Sequence, residues 1–157
     1  MKTCPVTLVP GVPALLPSYA SLQDPVAGLR ATCLVSVARL GPRVRVSASG
    51  PSGARVAAAL VAAVGGAVVE DGETGVLVVG NGSATRTEKA PGHFDPRAEA
   101  FDVALRVSFA DIDAALAEEL GADTACLRGL PPLAQAEVAY DDAPFGVQYW
   151  VATWEGR

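Results

Sequence analysis

The sequence predicts an α/β protein: one three-layer α/β/α domain with a central mixed β-sheet and a C-terminal antiparallel hairpin. Three observations predict it. Short β-branched runs alternate with helical apolar spacings through most of the chain, as βα units require. The hydrophobic half of the composition is mostly Ala, Val and Leu, with aromatics at only 6%, which suits helices packed closely on a sheet. The last long run, Val147–Trp154, is strongly β-prone and follows a turn-rich segment. At 157 residues the chain fits a single domain, 1–157, because domains usually span ~100–200 residues.

The first strand is Val6-Thr7-Leu8-Val9, stopped by Pro10-Gly11 and followed by a Pro-rich turn through Pro13 and Pro17. Asp24 and Pro25 are then suited to the N-cap and first position of a helix. Val26, Leu29, Cys33 and Val37 recur at helical spacing within it until Gly41-Pro42. Arg43–Ser47 alternates polar and apolar residues, the pattern of a half-buried or edge strand. Gly50-Pro51-Ser52-Gly53 reads as a tight connection to a second helix, about Ala54 to Val64, ended by Gly65-Gly66.

Ala67–Val69 suggests a short strand and Gly75–Val79 the central one. Asp95 and Pro96 are placed to cap and start a helix whose apolar side is Ala100, Phe101, Ala104, Leu105 and Phe109, with Glu99 and Asp102 in its first turn. Asp111-Ile112-Asp113 opens another helix reaching Leu120, ended by Gly121. Glu137–Tyr140 and Val147–Trp154, separated by Asp141–Gly146, form the closing hairpin.

The polar segment Gly80–Asp102 leaves the carboxyl end of the central strand, which is where α/β proteins build sites. It holds the only histidine, His93, close in sequence to Glu88, Asp95, Glu99 and Asp102. A non-haem iron site of the usual type needs two imidazoles and a carboxylate, and this chain has one imidazole. A carboxylate-only Mg²⁺ or Ca²⁺ site stays open, although the spacing matches no calcium loop. Ser83 follows Gly-Asn-Gly without the GxSxG nucleophile elbow. Gly80, Asn81, Gly82 and Ser83 offer backbone amides, and Arg86, Lys89 and Arg97 positive charge, a set suited to a small anionic ligand. The more ordinary reading gives Gly80 and Gly82 the job of permitting unusual backbone angles, with Asn81 and Ser83 bonded to nearby amides.

A net charge of −5, with basic residues scattered, argues against a nucleic-acid partner. No run approaches the ~18 apolar residues of a membrane span, so no membrane association is expected. The opening residues lack an apolar signal region, and a cytoplasmic protein is expected. Cys4, Cys33 and Cys126 lack metal-binding spacing and read as reduced, mostly buried thiols.

Gly80-Asn81-Gly82-Ser83, with Glu88–Gly92, Asp95–Asp102 and the closing Tyr140–Trp154, resembles a signature of actinobacterial proteins of the class III extradiol dioxygenase-like (LigB-type) family. Val9–Pro17 is similar to a degenerate form of that family's first metal-binding motif. The resemblance implies the same α/β fold. In the family's dioxygenases an iron(II) held by two histidines and a glutamate activates dioxygen and a catechol. By resemblance the glutamate corresponds to Glu99 and the first histidine falls on Gly11, which has no ligating side chain. The expectation is a divergent member without the iron centre, and no cofactor.

Two functional readings follow. The first is a non-catalytic domain that binds a small ligand or a protein partner in a cleft beside the 80–102 loop. The second is an enzyme of changed chemistry, metal-dependent or metal-free, acting on a small aromatic or acidic metabolite through Glu99 and His93. A homo-oligomer is a further expectation, because Phe145, Tyr149, Trp150 and Trp154 lie along one terminal strand.

Overall fold

A computed structural model describes residues 4–16, 26–88 and 90–155. Six strands form one mixed sheet in the order β3-β2-β4-β1-β6-β5. Strands β1 (Val6–Val9), β2 (Arg43–Ser47), β3 (Ala67–Val68) and β4 (Gly75–Val79) run parallel, with Val6 opposite Val76 and Val44 opposite Gly75. Strand β6 (Tyr149–Trp154) lies antiparallel to both β1 and β5 (Glu137–Asp142). The expected fold class is therefore what the chain adopts.

Period-two alternation along the central strands sorts their side chains into two cores. Val9, Leu77, Val79, Tyr149 and Val151 face one side, under α1 (Ala27–Ala38) and α2 (Pro51–Ala63). Leu8, Val78, Trp150, Ala152 and Trp154 face the other, under α3 (Ala98–Val107) and α4 (Ala114–Glu119). Both faces of β6 are covered, so all six of its residues are buried, the polar Thr153 among them facing the Thr7 hydroxyl at 3.0 Å. The three aromatics of β6, Tyr149, Trp150 and Trp154, are core residues, and only Phe145 of the four is exposed.

Several boundaries differ from expectation for local reasons. Helix α2 begins at Pro51, so three of the four residues of the anticipated connection are helix: proline fits its first position, where no amide partner is needed. Asp95 does not cap α3. Its Oδ1 accepts the Arg97 amide at 2.9 Å, forming a turn, and the helix starts at Ala98 without a side-chain cap. Asp113 is the true cap of α4, accepting the Leu116 amide at 3.1 Å, and Gly121 at φ 70° ends the helix.

Strand β5 runs to Asp142 through an irregular pairing between Val138 and Tyr140, which absorbs part of the expected turn. The expected roles of Pro17, Asp24, Pro25 and Lys89 lie outside the described residues. Cys4, Cys33 and Cys126 are free thiols, of which Cys33 is buried and the other two partly exposed. Among the described residues, no helix is long and apolar enough to cross a membrane.

Candidate functional site

From the carboxyl end of β1 the chain moves to the α1 face, and from the carboxyl end of β4 to the α3 face. Neighbouring strands whose connections diverge in this way open the crevice where α/β sheets commonly bind ligands. Here the chain runs close to β4 and α2 at Gly11. A Cβ at Gly11 would lie 2.9 Å from Val79 Cγ1 and 3.6 Å from Gly53 Cα. A side chain at the position that the family resemblance assigns to a metal histidine would therefore press on Val79, and the glycine present there has none with which to ligate.

The loop after β4 is bound to its surroundings residue by residue. The Gly80 amide donates to Val9 O at 3.0 Å, Asn81 to Asp123 O at 3.0 Å and Gly82 to Gln148 O at 2.9 Å. Ser83 donates its amide to Asp102 Oδ1 at 2.8 Å, and Ala84 its amide to Leu120 O at 2.8 Å. All of these donors are committed internally, so the run offers no amide cradle to an anion. Neither Gly80 nor Gly82 has a positive φ. They are glycine because neighbours press on them: a Cβ at Gly80 would meet Asp123 O at 2.8 Å, and one at Gly82 would meet Asp102 Oδ1 at 2.5 Å.

Asp102, fully buried on α3, is the hub of this arrangement. Its Oδ2 accepts Ser83 Oγ at 2.7 Å and faces the Arg86 guanidinium at 3.3 Å. Arg86 also donates to Gln148 Oε1 at 2.8 Å, and Arg106 donates to the same oxygen at 3.1 Å. Arg106 grips Asp141 with two nitrogens, each at 2.8 Å, and Gln148 Nε2 donates to Asp141 Oδ1 at 2.7 Å. The bond to Asp141 is the main reason the Arg106 pKa lies above its ordinary value. Its guanidinium also stacks 5.9 Å from the Trp150 ring centroid.

The chain Ser83–Asp102–Arg86–Gln148–Arg106–Asp141 thus ties loop, helix and hairpin together. A pairing of Arg86 with Asp102 is legible from opposite charges in one loop. Gln148, Arg106 and Asp141 were missed, yet one signal was available: an amide side chain inside an otherwise apolar strand run needs buried partners.

His93 is exposed at φ 61° in a turn closed by its amide to Ala90 O at 3.0 Å. Glu99 is exposed in the first turn of α3. Arg97 is held by Asp95 at 2.8 Å and Glu119 at 3.1 Å, which raise its pKa, while Asp95 falls below the usual carboxylate range through its bonds to Arg97. The two arginines placed among the anion-binding candidates therefore both face carboxylates. Among the described residues, no group of three or more His, Cys, Asp or Glu side chains is arranged to hold a metal ion. With one imidazole in the chain and a glycine at the first ligand position, the residues do not fit the iron that the family resemblance implies.

Three concave regions stand near this framework. One of 510 Å³ lies between Thr87-Glu88 and Pro144-Phe145. A second, of 490 Å³, lies beside Ser49 and Asp123, which are joined by a 2.8 Å hydrogen bond. The third, of 540 Å³, is a groove between α3 and α4 that begins at Pro96 and Arg97, the last part of the loop. Its floor is Phe101, Leu105 and Ile112, and Leu116, Ala100 and Ala104 form its walls. No protein-family model matches the chain, and neither does any curated protein.

Proposed function

We propose that this chain is a non-catalytic binding domain, distantly resembling the LigB-type dioxygenases, whose binding surface is the α3–α4 groove beside the 80–102 loop. The observation that carries the reading is the groove itself. At 540 Å³ it falls in the usual range of ligand sites, ~300–1,000 Å³, and it has the apolar walls and few polar edge groups typical of them. Its edges carry Asp111, Asp113 and an Arg97 already neutralised by carboxylates. An apolar, neutral or weakly cationic group suits such a rim better than an anion.

The polar residues that make the neighbouring loop look catalytic support the same reading. Asp102, Ser83, Arg86 and Gln148 bond to one another and hold the loop against α3 and the hairpin. The test is titration of dilute protein with a neutral apolar dye, followed by fluorescence. Saturable binding, abolished by Leu116→Arg, is expected, together with no ring cleavage of catechol when Fe²⁺ is added. Iron-dependent ring opening, or dye binding indifferent to Leu116→Arg, would overturn the proposal.

A further inference from the structure

Strands β2 and β4 are neighbours whose connections also diverge: β2 leads into α2 on one face of the sheet, and β4 into the loop and α3 on the other. The segment after α4 joins their carboxyl ends. Asn81, two residues beyond β4, exchanges backbone bonds of 3.0 and 3.1 Å with Asp123, and Asp123 Oδ1 accepts the hydroxyl of Ser49, two residues beyond β2, at 2.8 Å. The 490 Å³ cavity beside Ser49 and Asp123 thus sits where α/β sheets commonly hold ligands.

Much of its polar lining lacks partners. Thr124 is only 7% exposed, yet its hydroxyl makes no hydrogen bond among the described residues, whereas buried polar groups are nearly always bonded. Arg128, Glu118 and Asp123 line the same cavity, and among the described residues no ion pair joins the guanidinium to either carboxylate. Arg128 uses one nitrogen on Ile112 O at 3.1 Å, which fixes the guanidinium and leaves its other N–H groups uncommitted. Four alanines complete the wall and leave space for a small apolar body.

We propose that this cavity binds a small zwitterion, an ammonium and a carboxylate on an aliphatic frame, as in a free amino acid or a dipeptide. Opposite charges held apart in one cavity are matched by a ligand that carries both. Asp123 and Glu118 receive the ammonium, Arg128 takes the carboxylate through its N–H groups, and the Thr124 hydroxyl gains the partner it lacks. A ligand with a single charge leaves half of this lining uncompensated. The cavity uses Ala117 and Glu118 of α4, and the groove uses Leu116, so the inference does not depend on the groove reading.

Nuclear magnetic resonance of the full chain, titrated with L-leucine and with L-alanyl-L-alanine, tests the proposal and separates an amino acid from a peptide source. Saturable shifts of the Ser49, Asp123 and Thr124 amides with at least one of them are expected, with the Ala100 and Ala104 methyl groups of the groove unmoved. 3-Methylbutylamine and 4-methylpentanoate, which each carry one of leucine's two charges, should bind about tenfold or more weakly than the better zwitterion. Arg128→Gln and Asp123→Asn should each weaken binding about tenfold or more, because each removes a charge-assisted bond. Arg128 is exposed, and asparagine keeps an oxygen for the Ser49 hydroxyl, so both variants should melt like the parent. Thr124→Val should weaken binding without lowering the melting temperature, since the hydroxyl gives up no bond in the free protein. No saturable shift at these amides with either zwitterion at about 10 mM, a singly charged analogue bound as tightly as the zwitterion, or parental affinity in both charge variants overturns the proposal. Each of those results leaves the apolar-dye titration, and with it the groove reading, untouched.

Discussion

Asp102 grips Ser83 at two points, its Oδ1 accepting the Ser83 amide at 2.8 Å and its Oδ2 the Ser83 hydroxyl at 2.7 Å. Through this clamp the loop after the central strand is built into the body of the protein, and several consequences can be measured.

Asp102→Ala should be the most damaging single change in the loop. It leaves the buried Ser83 amide and hydroxyl without acceptors and takes one of two partners from the half-buried Arg86 guanidinium, which keeps Gln148. Removing one partner of a buried, hydrogen-bonded ion pair costs ~3–5 kcal/mol. Urea unfolding should show the loss, and Asp102→Asn should retain part of it by keeping one carbonyl oxygen for the Ser83 amide.

Gly82→Ala should destabilise by ~1–3 kcal/mol through overpacking. The new methyl would sit 2.5 Å from Asp102 Oδ1 and 2.8 Å from Gln148 Cβ, and both neighbours are held by other bonds. Gly129→Ala is the control, because nothing lies within 4 Å of its Cβ position. Thermal melts of the two variants should separate clearly.

His93 occupies the left-handed region at φ 61°, which asparagine tolerates and β-branched residues resist. His93→Asn should therefore keep the melting temperature or raise it, and His93→Val should lower it, with a loss of ~1–2 kcal/mol. If His93 were an essential acid or base, the asparagine variant would lose function while remaining folded. Unchanged dye binding is expected instead.

Burial pushes the Cys33 thiol from its ordinary 9.0 up to about 12, against a smaller lowering effect of Arg30. Above pH 9 the unfolded chain loses this proton while the native protein keeps it, so stability falls as pH rises and continues to fall until the native thiol ionises near 12. The contribution is ~1.4 kcal/mol per pH unit in that window. Cys33→Ala should be less stable at neutral pH but show a shallower alkaline decline. Thiol reagents should label Cys4 and Cys126 before Cys33.

Strands β1 and β4 and the flanks of the closing hairpin were legible because each follows from a short-range pattern, β-branched runs or turn residues, and of the apolar side read for α3 only Phe101 and Leu105 are buried helix residues. The candidate loop was located by its abrupt polarity after Val79. Its working was not legible, because the partners are remote in sequence. Arg86 and Gln148 are 62 residues apart, and the reason for glycine at position 82 is an Asp102 oxygen brought there by tertiary packing. The α3–α4 groove was hidden for the same reason. Ala100 and Ala104 read as buried members of one apolar side of a helix, whereas the packing of α3 buries Phe101 and Leu105 and leaves both alanines exposed beside them.

Methyl and amide nuclear magnetic resonance during titration with the neutral apolar dye tests the central proposal most directly. Saturable shifts at the Ala100, Ala104, Ile112 and Leu116 methyl groups, with the amides of Gly80, Asn81, Gly82 and Ser83 unmoved, are predicted. Shifts confined to the 80–83 amides and His93, with the groove methyl groups silent, would contradict it.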